Sequence, residues 1–274
     1  MIISFKYKFI FIKTYKTAGS SIESYLYQFL SANDVYAHTA DNNGINCWGE
    51  FDPENKLSNF FDKDTYNERI SKKLRFYAHM PAWLIKDRLD IYSKRLKFDI
   101  FDNFYKFAVI RNPFDLIVSD YFWRKNSNSL KEKSFESIIQ ELKDNKYQTH
   151  GLLNLNKLMD IKRENILCDY IIKYENLNEE LSKVFHKLKI PFNGKLEIFK
   201  KRFDRDRDYQ KFYDESSKKL VEDIKGVQIL GVISELVGSE LVKAKKMYIK
   251  AFPYSKNMNF NLWKMKISFI KMTN

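Results

Sequence analysis

Cysteine is nearly absent from this chain: Cys47 and Cys168 are the two in 274 residues. They lie far apart, with neither CxxC spacing nor a histidine ladder beside them. That excludes a disulfide framework and a cysteine-built metal site, and leaves ordinary reduced thiols. No uninterrupted apolar run of about 18 residues occurs, so no membrane-spanning helix is expected. Internal repeats and low-complexity linkers are missing too. Also missing are a Walker A ending, in which lysine and a hydroxyl residue follow the last glycine, and a convincing Walker B aspartate. Both absences count against a nucleoside triphosphatase. Acidic charge is in the minority, 35 residues against 48 Lys and Arg, for a formal net charge of +13. That excess suits an anionic ligand such as a nucleotide donor, an acidic glycan, nucleic acid or a membrane headgroup. A lysine-rich compositional bias explains it equally, so charge supports such a ligand only weakly.

What is present suffices for a substantial core, with 44% hydrophobic and 16% aromatic residues. Residues 1–12 carry charges at Lys6 and Lys8 inside an apolar stretch. They read as a first strand, not a cleaved signal peptide, and a cytoplasmic protein is expected. The runs 105–110 and 169–174 read as buried parallel strands, each followed by a helical pattern. After the first, Arg111, Asn112 and Pro113 open a helix carrying Leu116, Ile117, Tyr121 and Phe122 at helical spacing. After the second, Asn178 is placed as the cap of a helix whose apolar face is Leu181, Val184, Phe185 and Leu188, ended by Pro191. A shorter strand at 75–78 leads to His79 and a helix over 82–89, while the polar stretch 33–71 reads as surface loops.

Strands alternating with helices predict an α/β fold, a three-layer P-loop NTPase-like domain with a central parallel sheet. One domain is expected over 1–249, including an amphipathic helix at 226–244. A basic, aromatic tail over 250–274 follows, whose composition permits peripheral membrane contact. Ligands in such sheets sit beyond the carboxyl ends of the strands, and Lys16, His79, Arg111 and Glu175 are all placed there.

The apolar run 9–12 is followed by Lys16, Thr17, Ala18, Gly19, Ser20 and Ser21 and then by the helix-like segment 22–30. Strand, loop and helix in that order make a phosphate-binding loop. N–H groups and the helix dipole face an anion, Lys16 adds a full charge, and Gly19 lets the chain come close. The bland alternative is a strand-to-helix turn with a solvated lysine. A second anion site is read in Arg111 at its strand end and Ser119 about two turns into the next helix. The alternative there is an Arg111–Asp115 pair and a serine bonded back to its own helix.

Together and in this order, the two motifs resemble the 5'-phosphosulfate loop and the 3'-phosphate motif of sulfotransferases that use 3'-phosphoadenosine 5'-phosphosulfate. Tyr174-Glu175-Asn176-Leu177 and residues 209–215 resemble the carbohydrate branch, and the likeness runs from about residue 9 to 221. Ala18 stands where glycine is frequent, which matters only if the backbone there needs positive φ. The usual aspartate followed by Phe-Gly-Tyr near the end is not recognisable, and neither is the long glycine-containing loop of the small-molecule members.

The resemblance implies transfer of a sulfuryl group to a hydroxyl of a carbohydrate or of another acceptor, neutral or anionic, with no metal required and no nucleic-acid partner. Lys16 would steady charge on the leaving phosphate, residues 16–21 would hold the 5'-phosphate, and Arg111 and Ser119 the 3'-phosphate. His79 is the candidate base, with an ordinary histidine pKa near 6.5, against the alternative of a hydrogen-bonded structural histidine. Glu175 is the rival base, read rather as a residue that secures local structure. His38 and His150 have no comparable context, and His186 reads as solvated. Lys200, Lys201, Arg202, Arg205 and Arg207 are a further candidate contact for donor or acceptor, interleaved with Asp204, Asp206 and Asp208 that make a self-paired loop an equal reading. Two other functions stay open at this level: a P-loop-type nucleotide kinase or hydrolase, and a basic nucleic-acid-binding module.

Overall fold

Apolar residues at every position of residues 9–12 and 106–110 except Lys106 call for strands covered on both faces, and that is how they are built. The computed structural model describes residues 1–31, 33–37, 48–52, 57–61, 76–126, 133–144, 155–161, 165–197, 206 and 208–224. In chain order the elements are β1 (Ile2–Ser4), β2 (Phe9–Ile12), α1 (Gly19–Tyr27), β3 (Val35–Tyr36), β4 (Trp48–Asp52), β5 (Leu57–Phe61), α2 (Ala82–Leu96), α3 (Ile100–Asn103), β6 (Tyr105–Ile110), α4 (Pro113–Asn126), α5 (Phe135–Lys143), β7 (Tyr170–Lys173), α6 (Leu177–Leu188) and α7 (Glu215–Glu222).

The main sheet has the order β3-β1-β2-β6-β7. β2 pairs parallel with β6, and β6 with β7. β1 runs antiparallel to both its neighbours, so it alone opposes the other four strands. The expected parallel sheet is therefore mixed. Residues 1–12 are a hairpin and not one strand, because the short turn holding Lys6 and Lys8 can join only antiparallel neighbours. Lys8 takes φ 53° there. The stretch 33–71, expected as loops, contributes β3 and the antiparallel pair β4 and β5. Gly49, Asn59 and flanking acidic residues interrupt the alternation that marks a strand.

Side chains alternate across the sheet. Ile10, Ile12, Ala108, Ile110 and Ile171 face a core shared with α2, α4 and α5. Phe9, Phe11, Phe107, Val109 and Ile172 face Ile22 and Leu26 of α1 and Leu181, Val184, Phe185 and Leu188 of α6. Helices on both faces make three layers. Phe11 stacks on Phe107 at 5.1 Å between ring centroids, and Phe107 meets Phe185 edge-on at 6.5 Å. Each buried phenyl contributes about 1.5–3 kcal/mol, so this aromatic column is a main support of the central strands.

Smaller differences from expectation have local causes. Among the described residues of the expected strand 75–78, only Phe76 takes part in a β-bridge, and a turn follows in which the Met80 N–H bonds the Tyr77 carbonyl. α2 continues past 89 to Leu96. The last parallel strand stops at Lys173 because Tyr174–Asn176 tighten into a 3-10 turn. α6 begins at Leu177, and Asn178 is no cap: its side-chain oxygen accepts from the Leu196 N–H at 2.9 Å. α6 closes at left-handed Lys189, two residues before Pro191. Residues 209–212 form a 3-10 turn ahead of α7, where Asp214 and Ser217 complete a capping box. The segments 226–244 and 250–274, the basic cluster from Lys200 to Arg207, His38 and His150 lie outside the described residues. Among the described residues no helix is long and apolar enough to cross a membrane.

Candidate active site

Parallel pairing of β2 with β6 brings the residues that follow each strand to one edge of the sheet. The loop after β2 is tied to that edge first. Thr14 donates its hydroxyl hydrogen to the Val109 carbonyl of β6, and buried Thr17 lies 2.8 Å from the Thr14 hydroxyl oxygen. Beneath the loop, Lys13 is buried and its ammonium is held by Glu23 of α1 at 2.5 Å and by the Ser20 hydroxyl at 3.3 Å. The Lys13 stem occupies the space a side chain at residue 19 would need. A Cβ on Gly19 would stand 2.7 Å from Lys13 Cγ. Glycine is required here by a close approach, and what approaches is this chain's own lysine.

Positive φ angles in the loop fall on Lys16 (57°) and Ala18 (59°) and not on Gly19. Ala18 is thus a real departure from a glycine position, since an L-residue in the left-handed region is strained. Ala18 also stands at the N-cap of α1 and provides no side-chain cap. At the start of α1 the Ser21 and Ile22 N–H groups bond the Ala18 carbonyl, at 2.9 and 3.1 Å, and an uncapped helix N-terminus of this kind has the chemistry that suits an anion.

Arg111 follows β6 directly. One terminal nitrogen donates to the Lys16 carbonyl at 2.8 Å, while Nε and the other terminal nitrogen lie 2.7 Å from Asp115 Oδ2. The guanidinium also packs on the Tyr174 ring at 4.1 Å. The Arg111–Asp115 pair raised as an alternative reading is present, and the same arginine clamps the loop that follows β2. Asp115, Ser119 and Trp123 recur every four residues along α4 and so share one face. Asp115 holds Arg111, and Lys16 Nζ lies 5.0 Å from the centre of the Trp123 ring. Ser119 lies between Asp115 and Trp123 on that face, one helical turn from each.

His79 stacks on Tyr15 with ring centroids 3.8 Å apart, and its Nδ1 lies 3.3 Å from the Lys13 carbonyl. A carbonyl oxygen only accepts, so Nδ1 carries the hydrogen and Nε2 keeps its lone pair. Burial first, then nearby positive charge with Lys13 foremost, brings the imidazole pKa down to about 2. This corrects the ordinary histidine value expected from sequence: in the free protein His79 is neutral and a weak base. Glu175 accepts from the Asn112 N–H at 2.6 Å, supporting the turn that begins α4. That is the structural part expected of it. His186 is exposed on α6.

Several neighbours escaped the sequence reading. Lys13 follows an apolar strand and Tyr15 lies two residues on, and no local pattern marks either as a site residue. Trp123 was findable as the next residue of the Asp115 and Ser119 face. Lys157 had no local signal at all. It reaches the site from the 3-10 turn Leu155–Leu158, placing Nζ 4.1 Å from the Tyr15 ring centre and 3.4 Å from the His79 carbonyl.

Comparison with known proteins points the same way as this geometry. The family model described as "Sulfotransferase family" matches residues 1–233, more at both ends than the motifs themselves span. A protein of Archaeoglobus fulgidus described as uncharacterized is 31% identical over 113 residues, covering 41% of this chain and 84% of that protein. No solved structure matches.

Proposed function

This chain belongs to the sulfotransferase family, and from that premise we propose that it moves a sulfuryl group from 3'-phosphoadenosine 5'-phosphosulfate to a hydroxyl, with a carbohydrate as acceptor. One observation carries the reading: Arg111, at the end of β6, grips the main chain of Lys16, so the two anion-suited segments form a single unit. A donor with two separate phosphates asks for two such sites at a fixed spacing.

The residues fit that donor. The uncapped start of α1, with left-handed Lys16 and Ala18, suits the 5'-phosphate, and Arg111 with Ser119 suits the 3'-phosphate. The donor supplies an activated sulfuryl group, whose S–O bond to phosphate breaks as an S–O bond to the acceptor oxygen forms, leaving the electron pair on phosphate. Lys16 neutralises the charge that grows there. Lys16 must leave the Trp123 face to do so, a modest loss for a cation–π contact at a partly exposed ring. His79 accepts the hydroxyl proton at Nε2. Its low pKa reflects burial and the lysine charges around it, and a bound anion opposes those charges, raising its basicity when substrate is in place. Positioning by the loop and the clamp accounts for the rest of the catalysis.

Calorimetric titration with 3',5'-adenosine bisphosphate, and transfer of radiolabel from the sulfated donor to a glycan panel, test the proposal. Saturable binding at one site per chain and label on a glycan are expected. Magnesium-dependent binding of ATP with no affinity for the bisphosphate would replace the reading with a nucleotide kinase or hydrolase. Salt-steep binding of nucleic acid that the bisphosphate does not displace would replace it with a nucleic-acid module.

A further inference from the structure

Lysine usually keeps its ammonium in water while its stem covers apolar surface. Lys157 instead turns its ammonium inward, to 3.4 Å from the His79 carbonyl and 4.1 Å from the Tyr15 ring centre. Its neighbours Leu158 and Met159 are buried in the core on the His79 side of the sheet, and the Leu167 N–H bonds the Leu158 carbonyl at 2.7 Å, with Met159 bridged to Ile166. This anchoring holds the half-buried Lys157 against the Tyr15 ring, which stacks on the candidate base His79, and against the main-chain carbonyl of His79 itself. Burial draws its pKa down to about 8, the mark of an ammonium held in a site poor in water.

The charges near the loop then divide by task. Lys13 is committed to Glu23, and Lys16 extends toward the Trp123 face of α4. Lys157 is the one of these three whose ammonium meets Tyr15 and the His79 main chain directly. Building on the donor assignment above, we infer that Lys157 is a further substrate-binding residue, whose ammonium holds the anionic sulfuryl oxygens on the acceptor side of the transfer centre. Its partner is the sulfuryl group and not either phosphate.

The two nucleotides separate these roles, because 3',5'-adenosine bisphosphate has both phosphates but no sulfuryl group. For Lys157→Met, calorimetry should show donor affinity at least tenfold weaker and bisphosphate affinity within twofold of the wild type. Turnover should fall at least tenfold, and Lys157→Arg should recover both donor affinity and turnover. Lys157→Gln repeats the comparison should the methionine variant fail to fold, with thermal melting as the control. Equal weakening of both nucleotides, or unchanged donor affinity and turnover, would overturn the inference while leaving the donor assignment intact. Wild-type protein that binds neither nucleotide would overturn the donor assignment, and this inference with it.

Discussion

Two adjacent substitutions in the loop between β2 and α1 should change stability in opposite directions. Ala18 holds φ 59° and ψ 18°, a conformation that costs an L-residue about 1–2 kcal/mol. Ala18→Gly removes that strain but loosens the unfolded chain by roughly 0.4–1 kcal/mol. A net gain of about 0.5–1 kcal/mol follows, which for a domain of this size raises the melting temperature by about 1–4 °C. Gly19→Ala is the mirror case. Its new Cβ would meet Lys13 Cγ at 2.7 Å, Cε at 3.1 Å and Cδ at 3.3 Å. That stem cannot swing aside, since Lys13 Nζ is held by buried Glu23 at 2.5 Å. Overpacking costs about 1–3 kcal/mol. The better helix propensity of alanine returns up to about 1 kcal/mol, so a net loss of roughly 1–2 kcal/mol is expected. Urea and thermal unfolding of both variants measure the difference directly. Destabilisation by Ala18→Gly, or stabilisation by Gly19→Ala, would refute the loop geometry on which the proposed anion site rests.

Lys16→Ala should cut turnover by at least a hundredfold with a smaller loss of bisphosphate affinity, read from steady-state rates beside calorimetry; unchanged turnover removes it from the leaving-group role. Arg111→Lys and Ser119→Ala should each narrow the preference for 3',5'-adenosine bisphosphate over 5'-AMP, and an unaltered preference would leave the 3'-phosphate site unlocated. His79, with a folded pKa near 2 against about 6.5 unfolded, stabilises fully above pH 6.5 and loses that contribution as pH falls toward 2. The loss at pH 5 is about 2 kcal/mol, so urea unfolding at pH 7 and pH 5 should differ by that much less in His79→Gln. Lys157 should impose an alkaline limb on donor affinity near pH 8, since its charge is lost above that value. Lys157→Arg should shift the limb beyond the measurable range, and an unmoved limb assigns it to another group.

Much of the scaffold was legible because its signals are local. Apolar residues at consecutive positions mark strands covered on both faces, and β6 was readable to the residue. Pro113 after Arg111 and Asn112 announced α4, since proline lacks the N–H that a first helical turn leaves unpaired anyway. The order of lysine and glycine around residues 16–19 separated this loop from a Walker A loop without any coordinates. The hairpin at the N-terminus was less legible, as Lys6 and Lys8 mark a turn only weakly. β4 and β5 were illegible because their pairing, and not a period-2 pattern, makes them strands.

The chain's own sequence thus determined the strand-loop-helix units and the candidates Lys16, Arg111, Ser119 and His79, all of which depend on neighbours within a few residues. Only the tertiary structure decided what those candidates do to one another. Arg111 reaches the Lys16 carbonyl across 95 positions, His79 meets the Lys13 carbonyl across 66, and Lys157 meets His79 across 78. Contacts at such separations arise from the register of β2 against β6 and from the core packed beneath them. Whether a histidine is neutral, a lysine buried or a glycine crowded is therefore set by packing, because burial and charge proximity are properties of the folded chain alone.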